Sequence, residues 1–190
     1  MGEVRNHSIA HENACGERLS GTCYPVTRTN DLLDTRELRC ALGRFATGVA
    51  IATTRGVEGP VGLTINSFSS VSLTPPLVLW SLRNDASSLR HFLEAKHYAI
   101  NVLSVSQREL ANRFASKEAD KFKGVQQRAG ASGVPLLSSC IAQFECRLTK
   151  SISCGDHYVL VGEVESAWHR DDQPLIFSSG AYGAATSMLC

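Results

Sequence analysis

Between Gly59 and Leu82 the chain carries no Asp, Glu, Lys or Arg, and inside that interval runs Gly62-Leu63-Thr64-Ile65-Asn66-Ser67-Phe68-Ser69-Ser70-Val71-Ser72-Leu73. Leu63, Ile65, Val71 and Leu73 are apolar, whereas Thr64, Asn66, Ser70 and Ser72 make a polar face. A strand face that meets water ordinarily carries Lys, Glu or Arg. Short hydroxyl and amide groups instead let a polar ligand come close to the main chain and pair with it. Isoalloxazine is a ligand of that kind, because its carbonyls and ring nitrogens need donors and acceptors while its plane needs apolar contact. The other reading is a Ser/Thr-rich strand whose hydroxyls simply meet water.

Thr74-Pro75-Pro76 ends this unit, and Leu77-Val78-Leu79-Trp80-Ser81-Leu82 reads as a nearly all-apolar central strand. Arg83-Asn84-Asp85-Ala86-Ser87-Ser88 follows and opens a helix. Amides at a helix start, with Ser hydroxyls and one Arg, suit a phosphate, and N-capping by Asp85 or Ser87 is compatible with it. A second island is Gly155-Asp156-His157-Tyr158, where the Gly-Asp turn sets His157 at a strand mouth as a site residue or a structural histidine. In Gly180-Ala181-Tyr182-Gly183, Tyr182 is either a packed aromatic or a lid over a ring.

The elements that must position these residues are mostly strands. Residues 1–33 are polar and aperiodic and read as a flexible tail, with the folded domain spanning 34–190. Asp34 or Thr35 caps a helix whose Leu38, Ala41, Leu42 and Phe45 recur at helical spacing. Strands are predicted at 49–54, 61–66, 68–73, 77–82 and 97–103, with a turn at 55–59. Helices are predicted at 86–95 and 104–115, and Gln126–Gly133 reads as a weakly ordered loop. Strands return at 141–149, 157–168 and 175–177. Many strands with few helices and no βαβ alternation imply a mainly β fold, a closed or half-closed antiparallel barrel with peripheral helices.

Composition removes several classes of function. The 190 residues carry 19 basic and 18 acidic side chains, a net charge of +1, so no global field recruits nucleic acid or an anionic membrane. No apolar run reaches the roughly 18 residues of a membrane span. The first 30 residues hold no apolar block of the kind a secretory leader needs, so a cytoplasmic protein is expected. The seven cysteines form no C-x-x-C pair and read as reduced thiols, and no metal site is expected. G-x-G-x-x-G, Walker, H-E-x-x-H and G-x-S-x-G signatures are all absent.

From Leu38 to Gly183 the chain resembles the flavin reductase-like family, the FMN-binding split barrel that includes reductase components of two-component flavin monooxygenases. The resemblance runs in order through Ala41–Val49, Gly62–Pro76, Tyr98–Leu103, Leu110–Ala115, Asp120-Lys121-Phe122, Pro135-Leu136-Leu137, Gly155-Asp156-His157 and Gly180-Ala181-Tyr182. It implies a homodimer of six-stranded Greek-key barrels that transfers hydride from NADH or NADPH to FMN or FAD and hands reduced flavin to a monooxygenase. It also implies that Thr64, Ile65, Asn66 and Ser67 line the isoalloxazine and that Ser70, Val71 and Ser72 hold its polar edge. Asn84, Ser87 and Ser88 would then take the ribityl chain and phosphate, with Arg113 and Phe114 as flanking contacts and His157 beside the nicotinamide. Two alternatives stay open: a flavoprotein that keeps its FMN and reduces another acceptor, and a flavin-binding electron carrier without NAD(P)H activity.

Overall fold

The structure is a computed structural model and describes Val26, Arg28, Thr29 and residues 32–185. Most of the polar segment expected to be a flexible tail lies outside the described residues. The chain divides into two compact units, one within residues 1–46 and 177–182, the other within 47–176 and 183–190.

In the smaller unit β1 (Arg28–Thr29) and β2 (Leu32–Leu33) pair antiparallel, and α1 spans Thr35–Leu42. Asp34 is the N-cap of α1, its carboxylate accepting from the Arg36 and Glu37 amides at 2.8 and 3.1 Å. The apolar stripe read from the helical spacing is not what α1 buries. Its buried residue is Cys40, while Leu42 and, just beyond the helix, Phe45 are 65% and 79% exposed. Cys40 is disulfide-bonded, which corrects the expectation of reduced thiols throughout. Cys140, Cys146 and Cys154 are free, as expected.

The larger unit opens with β3 (Thr47–Gly48), β4 (Ala50–Gly56) and β5 (Gly59–Ile65). Gly56 and Gly59 close the β4–β5 hairpin at the turn that the glycines announce. Then come β6 (Ser69–Leu73), β7 (Pro76–Arg83), α2 (Leu89–Glu94) and β8 (His97–Val102). A 3-10 turn over Val105–Gln107 leads into α3 (Arg108–Ala115), so the helix predicted from residue 104 starts with a tighter turn. Beyond it lie β9 (Gln127–Ala129), β10 (Pro135–Leu137), β11 (Ala142–Cys154) and β12 (His157–His169), and then β13 (Leu175–Ser178) and β14 (Ala181–Ala184), whose residues 177–182 belong to the smaller unit.

Of the described residues 51% are strand and 16% helix, which settles the mainly β class. One antiparallel sheet runs in the order β5-β4-β8-β11-β12-β7-β6, seven strands where the family resemblance implied six. Its core joins Ala50, Ala52, Ile65, Val78, Trp80, Leu82, Tyr98, Ile100 and Leu160 to Phe92 of α2. Trp80 lies edge-on to Phe92 and Tyr98, with centroids 5.0 and 5.8 Å away. Burying each such ring contributes about 1.5–3 kcal/mol, so α2 is pinned by one residue despite its six-residue length. Along β7 only Val78, Trp80 and Leu82 are buried. The strand is therefore core-facing on one side rather than buried on both.

Two expectations fail here for identifiable reasons. Residues 126–133 are not a loose loop, because β9 pairs with β10 and the buried Glu145 carboxylate accepts from the Ala131 and Ser132 amides and the Ser132 hydroxyl. Val71 and Leu73 do not share an inner apolar face with Leu63 and Ile65. They stand on a different strand, Val71 within the register shift between Ser70 and Ser72 and Leu73 beyond it, and are 49% and 91% exposed.

Candidate functional site

Two hairpins carry the site. β5 is held against α3 by Thr64, whose Oγ1 donates to the Ala111 carbonyl at 2.7 Å. Where β5 ends, Ser67 Oγ donates to the Ser81 carbonyl and accepts from the Ser81 amide at 2.9 Å. These bonds tie the end of β5 to β7 and leave Asn66 exposed between them. The β11–β12 hairpin turns at Gly155, whose φ of +60° a side chain resists, and brings His157 opposite Arg83 at the end of β7. A second brace joins the same places: Asn84 donates through its amide to Asp156 O at 2.9 Å and through Nδ2 to Gly155 O at 3.0 Å.

The result is a cavity of about 250 Å3 in which Thr64, Ile65, Asn66 and Ser67 meet His157. Leu63, Ser81, Leu82, Arg83 and Ala86 complete its lining. Of these, Ser81 was missed in the sequence. Its signal was the alternation along β7, which puts Ser81 on the face opposite Trp80 and Leu82. The lining combines amide, hydroxyl and main-chain groups with Leu63, Leu82 and Ala86, a mixture that fits a flat ring with a polar rim.

The other residues singled out in the sequence lie elsewhere. Ser70 and Val71 are exposed and Ser72 half-buried on β6, and none of the three lines this cavity. Ser87 and Ser88 line a neighbouring cavity of about 520 Å3. Ser88 is the N-cap residue of α2 but makes no side-chain cap bond, and Asp85 is occupied by a bidentate pair with Arg83 at 2.8 Å for both bonds. The Arg83 guanidinium holds the Asp85 carboxyl below the usual carboxylate range. The helix itself covers only Leu89–Glu94, shorter than the predicted 86–95, so its dipole adds little to a phosphate seat. Arg113 donates to Lys123 O at 3.0 Å and faces a different recess, and Tyr182 packs on Phe177 in the smaller unit. Phe114 has no exposed surface and meets Phe122 edge-on at 4.9 Å, so it supports β5 from beneath and is not a flanking contact.

His157 is held by its neighbour. Asp156 Oδ1 lies 2.7 Å from His157 Nδ1, and this bond to the ring keeps the Asp156 carboxyl below its ordinary range. The side chains here include no nucleophile–base pair and, among the described residues, no cluster of metal-ligating groups. The site is equipped to position and not to attack.

Comparison with known proteins decides the family. Residues 42–186 match the model of the flavin reductase like domain. The chain belongs to that family. It is 47% identical over 150 residues to the FMN reductase (NADH) SmoA of Agrobacterium fabrum, covering 79% of this chain and 86% of that one. It is 38% identical to the reductase component of a flavin-dependent trigonelline monooxygenase of Acinetobacter baylyi, covering 77% of this chain but 48% of that protein. Among solved structures, the NADH:FAD oxidoreductase SgcE6 of Streptomyces globisporus, in complex with NAD and FAD fragments, superposes with a TM-score of 0.76. Identity to it is 36%, over 79% of this chain and 92% of that one.

Proposed function

We propose that this flavin reductase family member transfers hydride from NADH or NADPH to FMN or FAD and supplies the reduced flavin to a partner monooxygenase. The observation that carries this reading is the meeting of Thr64–Ser67 with His157 around one cavity, from strands far apart in the sequence. The relatives support the same chemistry: one is named as an NADH-dependent FMN reductase and another as the reductase component of a monooxygenase.

When bound, the nicotinamide and the flavin would supply the hydride chemistry themselves, so the protein needs no nucleophile and no general-base dyad. Its residues would align the two rings at about 3–3.5 Å and keep other geometries out. The end of β5 presents main-chain groups and the Asn66 amide to the flavin rim. His157, oriented through Nδ1 by Asp156, sits at the mouth where the nicotinamide stacks. Ser87 and Ser88 receive the flavin phosphate, and Asn84 acts indirectly, by bracing the two turns together. The site residues Ser70, Val71 and Ser72 contribute through a second copy of the chain. Leu73 and Val71 are apolar and exposed, which fits a homodimer interface along β6. A cytoplasmic setting, where NAD(P)H is regenerated, belongs to the same proposal. Among the described residues no helix is long and apolar enough to cross a membrane.

Mixing the purified protein with NADH and FMN and following absorbance at 340 nm tests the activity. Turnover well above the rate of free flavin is expected; background turnover alone would leave a flavin carrier as the better description.

A further inference from the structure

Arg83 is the one permanently cationic side chain in the lining of the cavity shared by Thr64–Ser67 and His157, and no carboxylate lines that cavity. Its charge is nevertheless engaged. Nε and a terminal nitrogen donate to the two carboxylate oxygens of Asp85, each at 2.8 Å. Asp85 itself lines neither this cavity nor the one that holds Ser87 and Ser88. The two residues share one turn, closed by the Ala86 amide donating to the Arg83 carbonyl at 3.2 Å. Two parallel bonds within so short a turn fix the plane of the guanidinium. The side chains are 59% and 69% exposed, so the pair adds little to stability. Its consequence lies in the orientation of the cation. The arrangement recurs beside it, where His157 is matched at 2.7 Å by Asp156, another carboxylate outside the lining.

We propose that Asp85 locks the Arg83 guanidinium so that the site does not favour the reduced, anionic flavin over the oxidised one and releases it; the inference rests on the flavin reading given above. A hydride brings two electrons and one proton, so its addition to a neutral isoalloxazine leaves one negative charge on the ring system. The nicotinamide that gave the hydride becomes the cation, and the charges balance. A free guanidinium in the lining would attract the new charge and hold reduced flavin tighter than oxidised flavin. In a protein that passes reduced flavin on, that attraction would retain the product. With Asp85 as its counter-ion the pair is neutral, and Asp156 adds a second, weaker influence of the same sign on Arg83. The other polar side chains of the lining, Thr64, Asn66, Ser67 and Ser81, are uncharged and serve both redox forms alike. Asp85 is thus a positioning residue that acts through Arg83.

The experiment compares affinities for FMN in its two redox states. Dissociation constants of oxidised FMN and of dithionite-reduced FMN are measured by anaerobic titration on the wild type, Asp85→Asn, Arg83→Gln/Asp85→Asn and Asp156→Asn. The wild type is expected to bind reduced FMN no more tightly than oxidised FMN. Asp85→Asn should shift the ratio at least about tenfold toward reduced FMN, which raises the two-electron potential of the bound flavin by about 30 mV. The double variant lacks both charges and should return to within about threefold of the wild type. Asp156→Asn removes a neighbouring carboxylate without freeing Arg83 and should also stay within about threefold. An unchanged ratio in Asp85→Asn overturns the proposal. A wild type that binds reduced FMN tenfold tighter than oxidised FMN, or a double variant shifted tenfold toward oxidised FMN, also overturns it, because Arg83 would then already hold the product. An equal rise in Asp156→Asn overturns it too, since loss of any nearby carboxylate would suffice. If the wild type binds neither redox form, the underlying reading of the site falls as well, and that outcome is distinct from a failure confined to the ratio.

Discussion

Asp156 Oδ1 stands 2.7 Å from His157 Nδ1 at the start of β12, and His157 in turn is in register with Arg83 at the end of β7. The carboxylate engages one ring nitrogen and leaves Nε2 as the other polar group of the imidazole. A ring held this way can stack on or donate to a planar partner without having to pick its rotamer on binding.

His157→Ala is therefore expected to raise KM for NADH at least about tenfold while changing the dissociation constant of FMN by less than about threefold. Asp156→Asn should fall between the variant and the wild type, since it keeps the ring but loosens its aim. Steady-state kinetics with a parallel flavin titration checks both. Equal losses for NADH and FMN would remove His157 from the nicotinamide.

Ser87→Asp places a negative charge where the flavin phosphate is proposed to rest. Affinity for FMN should drop about tenfold, and less at high salt, while riboflavin, which has no phosphate, should be unaffected. The comparison of the two ligands is the control, because a general distortion of the turn would weaken both.

Gly62 is the residue against which α3 packs its aromatic side chain. A Cβ there would come within 2.7 Å of Phe114 Cε1 and 3.2 Å of Phe122 Cζ. Phe114 is wholly buried and cannot swing away. Gly62→Ala should cost about 1–3 kcal/mol of stability, measured by urea denaturation, and should weaken flavin binding because β5 must shift. A second substitution, Phe114→Leu, is expected to relieve part of that loss in the double variant.

Burial pushes the Cys146 thiol up to about 12 and Cys140 to about 11, from an ordinary value of 9.0. Both folded values lie above the unfolded one, so the unfolded chain gives up protons first as pH rises. Stability is intact below pH 9 and declines from there toward pH 11–12, by up to about 1.4 kcal/mol per pH unit for each thiol. Denaturation series at pH 8, 9.5 and 10.5 measure the slope. Cys146→Ala lowers stability at every pH but should flatten that slope; an unaltered slope would contradict the assignment. In the native protein, iodoacetamide should label the exposed Cys154 well ahead of Cys140 and Cys146.

Much of the fold was legible because local signals agreed with tertiary need. Gly56 and Gly59 marked the hairpin, Asp34 marked the start of α1, and the runs at 77–82 and 97–103 marked strands close to those observed. The misses came from contacts distant in sequence. Gln127–Ala129 became a strand because β10 pairs with it and Glu145, on β11, gathers the intervening amides. Val71 and Leu73 were readable as an apolar set but not as an exposed one, because alternation shows that two faces differ but not which one meets solvent or a partner. Within the site, the order Thr64-Ile65-Asn66-Ser67 and the isolated His157 were readable as chemistry. Their meeting was not, since it depends on the register of β12 against β7. Phe114 looked like a contact because a resemblance transfers residues without their burial.

Everything proposed for the site requires a flavin ring along the end of β5 with His157 facing it. A crystal structure of the protein soaked with FMN measures this directly. The isoalloxazine is expected in the cavity lined by Thr64, Ile65, Asn66 and Ser67, with its phosphate at Ser87 and Ser88. That cavity left empty, with the ring system bound at another surface, would contradict it.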